Sequence, residues 1–170
     1  EVQVLSTHDQ ILGGPHGQAY LGCRFPADPT YGPLIVREAA KIGVRFAREG
    51  VVGRFAIDFV VVRAAGGAWQ PFAIEVNLRK GGTTAPFLTL QYLTDGEYDP
   101  DTGVFTTRRG QPKYYVATDH LQSPAYRVFR PDDLFEIVRR HRLHFDHGSQ
   151  TGVVLHMLSA VTELGRLGLT

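Results

Sequence analysis

GRFAIDFVVVRAAGGAWQPFAIEVNL, residues 53–78, decides how this chain is read. Two runs rich in β-branched and aromatic residues flank Gly66-Gly67, the pattern of a β-hairpin. Both arms are nearly continuous apolar runs, so both faces of the hairpin are expected to be covered. Antiparallel pairing about a turn centred between Gly66 and Gly67 sets Asp58 directly opposite Glu75, on one face. Asn77 lies two residues further along that face, and Arg79 two further again. The alignment assumes a symmetric turn, because a one-residue bulge shifts side chains to the opposite face.

Two carboxylates facing each other among apolar neighbours repel and resist desolvation, so something positive must compensate. Arginines of the same core could do it, and Arg54, Arg63 and Arg79 are near in sequence. A divalent cation is the alternative, with Asn77 adding a neutral oxygen. Two carboxylates and an amide carbonyl are hard oxygen ligands, suited to Mg²⁺ rather than to zinc. Mg²⁺ held by few protein groups completes its shell with substrate phosphates, which points to a nucleotide or phosphate. The next stretch, KGGTTAPF (80–87), suits that partner. Gly81 and Gly82 let the backbone come close to a ligand, Thr83 and Thr84 offer hydroxyls, and the loop's N–H groups can cradle an anion.

Outward from the hairpin, VQVLS (2–6) reads as a strand, and ILGGPHGQAYLG (11–22) as a glycine-rich turn with YLGCRF (20–25) returning. PLIVREAAKIGVRFAREG (33–50) is an amphipathic helix with Pro33 in its first turn. Its apolar stripe is Ile35, Ala39, Ile42 and Phe46, and Gly50 is its left-handed cap. FLTLQYL (87–93) is taken as a short helix, DGEYDPDTGVF (95–105) as an acidic surface loop and KYYVATD (113–119) as a strand. RPDDLFEIVRRHRL (130–143) is a helix with Asp132 as N-cap, and SQTGVVLHMLSAVTELGRLG (149–168) a second one starting at Ser149 or Thr151.

The whole chain has 170 residues, is 43% apolar and 21% charged, and carries a net charge of +1. These values fit one globular domain and give no argument for nucleic acid as a partner. No apolar run is long enough to span a membrane, so no membrane partner is expected either. One cysteine, Cys23, excludes an internal disulfide framework and a cysteine zinc site. That fits a reducing, cytoplasmic location.

Glu75-x-Asn77-x-Arg79, with an acid at Asp58 on the preceding strand, resembles the C-terminal half of ATP-grasp enzymes. GRFAIDFV…FAIEVNLRKGGTTAP looks like that family's metal-binding hairpin. STHDQILGG, YLGCRFPAD and TGVVLHMLSAVTELGRLG are similar to the subgroup around the peptide ligase of pheganomycin biosynthesis. The resemblance implies an α+β fold, an antiparallel sheet with helices packed on it. Residues 1–94 would be the ATP-grasp C-terminal subdomain with the metal and phosphate site, and 95–170 a subgroup-specific extension packed on it. It also implies ATP and Mg²⁺ as cofactors, with Asp58, Glu75 and Asn77 as metal ligands. Arg79 would be catalytic, and Arg79, Gly81, Gly82, Thr83 and Thr84 would meet the nucleotide or border the acceptor site. The implied activity is ATP-dependent joining of a small-molecule or peptide carboxylate to an amine through an acyl-phosphate. Such folds clamp ATP between two α+β units, the first of which supplies lysines. Lys41, Lys80 and Lys113 sit in no matching strand here. The chain is therefore expected to be a C-terminal piece, partnered by an N-terminal portion of the same enzyme and inactive without it. An ATP-grasp kinase and a non-catalytic nucleotide-binding module are the alternatives, and homo-oligomerisation is left open.

Other features have plainer readings. His141, His144 and His147, with Asp146 among them, allow a zinc site on spacing, but a helix end and Gly148 argue against it. His156 reads as a core or substrate-lining residue, and Cys23 and Trp69 as structural. Asp9 and Gln10 could face the same cleft as the acid pair.

Overall fold

The computed structural model describes residues Glu1–Thr170. Its largest unit is a five-stranded antiparallel sheet of β1 (Asp9–Gly13), β2 (Ala19–Phe25), β7 (Tyr115–Gln122), β9 (Arg166–Leu169) and β8 (Leu155–His156), in that spatial order. A separate hairpin is built from β3 (Ala56–Arg63) and β4 (Trp69–Asn77), and a smaller one from β5 (Glu97–Asp99) and β6 (Val104–Thr106). The helices are α1 (Gly32–Arg48), α2 (Thr84–Thr94), α3 (Pro131–Arg140) and α4 (Ala160–Leu164). The expected α+β class with antiparallel sheets holds. No helix is long and apolar enough to cross a membrane.

Local chemistry explains most boundaries. The Gly-Gly-Pro-His-Gly turn joins β1 to β2, with Gly14 and Gly17 at positive φ. Helix α1 begins with Pro33 in its first turn. It ends in a Schellman motif, in which Gly50 N–H donates to Ala47 O (3.2 Å) and Val51 N–H to Phe46 O (3.0 Å). Gly50 adopts φ +86°, as expected of a left-handed cap.

The main core lies on one face of the large sheet. Phe25 on β2 stacks on Tyr115 of β7 (5.0 Å between ring centroids) and meets Phe87 of α2 and Phe105 of β6 edge-on. Cys23, Tyr98 and Ala117 complete this cluster. A second cluster of Leu134, Val161 and Leu167 holds α3 and α4 against β9.

Four segments depart from the sequence reading. Residues 2–6 form no strand; the first strand begins at Asp9, the first residue with a partner on β2, paired with Arg24. Residues 95–105 are the β5–β6 hairpin rather than a surface loop. Their acids face out while Tyr98 and Phe105 point into the core, and Asp99 caps the turn by accepting from Asp101 N–H at 2.9 Å. Residues 149–168 are two short strands around one short helix. Gly152 and Gly165 adopt positive φ there and break the helical pattern, and β9 inserts between β7 and β8. Asp132 is not the N-cap of α3. Arg130 holds that position, and its N–H donates to the Asp133 carboxylate at 2.7 Å.

Candidate metal and phosphate site

The β3–β4 hairpin carries the acid pair as its sequence suggests, but through a different register. The turn is a three-residue loop with Gly67 in the left-handed region at φ +83°, closed by a hydrogen bond from Ala64 N–H to Ala68 O at 2.8 Å. From Arg63↔Trp69 to Phe59↔Ala73 the strands pair about Gly66 alone. A bulge at Ile74 then inserts one residue into β4, and beyond it Asp58 faces Glu75 and Ala56 faces Asn77. A symmetric turn and an asymmetric turn plus one bulge thus reach the same pairing.

The hairpin is not covered on both faces. Ile57, Phe59 and Val61 are half-buried on the side toward α1, where Tyr31 meets Trp69 edge-on at 5.4 Å. By strand alternation Asp58, Val60 and Val62 share the other face, which is open. Val60 is 45% exposed, Val62 46% and Phe72, opposite Val60, 52%. Apolar runs on both arms therefore mark one half-buried face and one uncovered face that also holds the acids.

At the base of the hairpin, Asp58 is half-buried and Glu75 exposed. Burial pushes the Asp58 carboxyl above the usual carboxylate range, the Glu75 charge adds to that, and Arg79 partly opposes it. Asn77 Nδ2 donates to Asp58 Oδ2 at 3.4 Å, and Gln10 Nε2 reaches Asp58 Oδ1 at 3.3 Å from the neighbouring strand β1. Neither acid is in an ion pair with Arg54, Arg63, Arg79 or any other base. Arg63 is engaged at the far end of the hairpin, over the Trp69 ring at 5.6 Å. Arg79 is exposed, its Nη1 reaching only Lys80 O at 3.4 Å. The pair therefore keeps a repulsion that Arg79 offsets only in part and that a cation would relieve, and its oxygen donors fit Mg²⁺.

The 81–84 loop leads from this site into α2. Gly81 N–H donates to Thr84 Oγ1 (3.1 Å) and Thr84 N–H to Gly81 O (3.1 Å), so the loop is locally closed. Gly82 lies against the Tyr20 ring, where an added Cβ would come within 3.2 Å of the ring edge. Asp9 does not join the acids. Tyr31 Oη donates to Asp9 Oδ1 (2.8 Å) and Asp28 N–H to Oδ2 (3.0 Å), so both oxygens anchor the loop before α1. Gln10 does join them, as expected for a residue facing the same cleft, through its hydrogen bond to Asp58.

The remaining candidates behave structurally. Cys23 is fully buried and burial raises its thiol pKa. Asp146 is occupied by the Ser149 N–H (2.7 Å) and hydroxyl (2.8 Å), and no group of His, Cys, Asp and Glu converges to hold a metal by itself at His141, His144 and His147 or elsewhere. The His156 ring packs onto Gly168.

Two comparisons with known proteins find relatives of this chain. Residues 133–170 match the PGM1 C-terminal domain family. Over 169 residues, 99% of its length, the chain is 34% identical to the L-propargylglycine–L-glutamate ligase of Streptantibioticus cattleyicolor. The chain spans 33% of that relative. The resemblance to peptide ligases seen in the motifs therefore extends along the whole chain. No solved structure matches.

Proposed function

We propose that this chain is the metal- and phosphate-binding part of an ATP-dependent carboxylate–amine ligase, forming an amide through an acyl-phosphate. The observation that carries the reading is the unpaired acid couple, Asp58 and Glu75, brought into register by a bulge beside Asn77 and Arg79. The similarity to a ligase named for joining two amino acids supports it and suggests amino-acid substrates. Asp58, Glu75 and Asn77 would hold Mg²⁺. Bound there with ATP, the ion supplies neutralisation of the charge on the transferring phosphoryl group.

The protein's own groups have definable tasks. Burial and the Glu75 charge push the Asp58 carboxyl up, so a metal ion bound beside it favours its ionised form. The Asn77 amide orients Asp58. Arg79, exposed and free of carboxylate partners, can stabilise the γ-phosphate and the negative charge that develops on the acyl group. Gly81 and Gly82 bring backbone close to the acceptor, and Thr83 and Thr84 line it. Residues 1–94 would carry this site. Residues 95–170 would be the extension packed on that subdomain, and they contribute β7, β8 and β9 to the same sheet as β1 and β2. An N-terminal portion would complete the nucleotide clamp, in a cytoplasmic enzyme.

Hydroxylamine trapping with the full-length protein, ATP, Mg²⁺ and an amino acid tests the proposal. A hydroxamate and one ADP per turnover are expected. ADP release with a phosphorylated hydroxyl product and no hydroxamate would assign a kinase instead.

A further inference from the structure

Beyond the acid pair, two strands of the large sheet carry a second polar constellation. The β7–β9 ladder is interrupted between Thr118↔Leu169 and Leu121↔Leu167, so Asp119 and His120 together oppose one residue of β9. Neighbours on a regular strand point to opposite faces. Here the bulge turns them together, and His120 Nδ1 lies 2.5 Å from Asp119 Oδ1. At that distance the Nδ1 proton points to the carboxylate, and a ring carrying only that proton presents Nε2 as an acceptor.

Arg166 on β9 closes the group. Its Nε donates to Asp119 O, and its Nη2 pairs with Asp119 Oδ2 at 3.1 Å while lying 3.3 Å from His120 Nδ1, a longer contact than the 2.5 Å between Nδ1 and the carboxylate. Both Asp119 oxygens are thus spent, whereas Arg166 Nη1 and His120 Nε2 make no hydrogen bond within the chain. The three side chains remain accessible, at 24% exposure for Arg166, 31% for Asp119 and 32% for His120. An unspent cationic donor beside a ring nitrogen free to accept is the complement of an amino acid's carboxylate and amino group.

The position connects this group to the phosphate loop. The β1–β2 pairing also slips, from Ile11↔Gly22 to Leu12↔Tyr20, and turns the Tyr20 ring toward the core. Gly22 pairs with Thr118, so Tyr20 and the Asp119–His120 bulge lie at the same end of neighbouring strands. Tyr20 rests against Gly82 on one side. On the other, Asp119 is close enough for its charge to contribute to the raised pKa of the Tyr20 phenol.

We propose that Arg166 and the Asp119-held His120 form the subsite for the acceptor amino acid of the ligation, Arg166 taking its carboxylate and His120 its amino group. Asp119 is a positioning residue that fixes both partners. The assignment rests on the ligase reading for its place in the reaction, but not for the ligand chemistry.

The test is calorimetric binding to the full-length protein without ATP, using L-glutamate and glycine together with their α-amides and N-acetyl derivatives. The wild type is expected to bind at least one of the two free amino acids about tenfold or more tightly than its amide and its N-acetyl form. Arg166→Lys keeps the charge but loses the forked geometry, and should lose discrimination against the amide while keeping it against the N-acetyl form. His120→Gln should do the reverse. A merely structural role would weaken all ligands together and produce no such crossover. The subsite is overturned if neither free amino acid is preferred over its derivatives, or if both variants retain both preferences. Hydroxamate trapping in the wild type reports on the ligase reading separately. Crossover without hydroxamate would leave an amino-acid site on a protein that is not a ligase.

Discussion

The β3–β4 hairpin and the β1–β2–β7 part of the large sheet are both built largely from apolar residues, yet they end in opposite states. Phe25 on β2 is 2% exposed and enclosed by four aromatic rings of α2, β5, β6 and β7, whereas Phe72 on β4 is 52% exposed. A lone two-stranded hairpin is marginal in water, and α1 supports this one on a single face. The sheet is organised to be stable. The hairpin is organised to present groups, and it keeps two acids opposed at a cost in stability.

The comparison can be broken most forcefully at its stable end. Phe25→Ala should cost about 3–5 kcal/mol, measured by urea unfolding, through the cavity left among the rings. An effect comparable to that of truncating Phe72 would mean the two regions do not differ as described.

Acid probes the same core. Burial lowers the His8 pKa from 6.5 to about 4, and His8 Nε2 lies 2.8 Å from Tyr115 Oη. The folded chain therefore binds fewer protons at His8 than the unfolded chain between these two values. Its contribution is fully favourable above pH 6.5 and falls by about 3 kcal/mol as the pH drops to 4. Urea midpoints across that window should flatten in His8→Gln. The hairpin has the opposite sign. The raised pKa of Asp58 means that ionisation destabilises the fold, so protonation on going down in pH relieves it.

That sign gives a sharper test. Asp58→Asn should leave stability unchanged or slightly raised, while ATP-dependent turnover of the full-length protein falls on the order of 10²-fold. Normal turnover would remove the metal assignment. At the weak end, Phe72→Ser should change stability by at most about 1 kcal/mol, read by thermal melting.

Much of this was legible in the sequence where local chemistry decides: the Pro33 start and Gly50 end of α1, the Gly-Gly-Pro-His-Gly turn and the two arms of the hairpin. The fold's errors came from long-range pairing. Residues 149–168 have helix-compatible stretches, but β9 gains a ladder with β7 that no local pattern encodes. The alternation of Tyr98 inward and acids outward was masked by turn residues on both sides. At the site, the acid pair was readable and the bulge that aligns it was not. Gln10 was readable as facing the acids' cleft, whereas Asp119 and His120 on β7 and Arg166 on β9 are distant in sequence, and only the pairing of those strands brings them together.

The extra residue at Ile74 has a consequence for how the hairpin can vary. It divides the ribbon into two halves phased independently, one to the tip loop and one to the acids. Such a slip joint lets the tip answer to α1 while the base answers to a ligand. Compensating changes at the tip can then accumulate without rotating either carboxylate out of place.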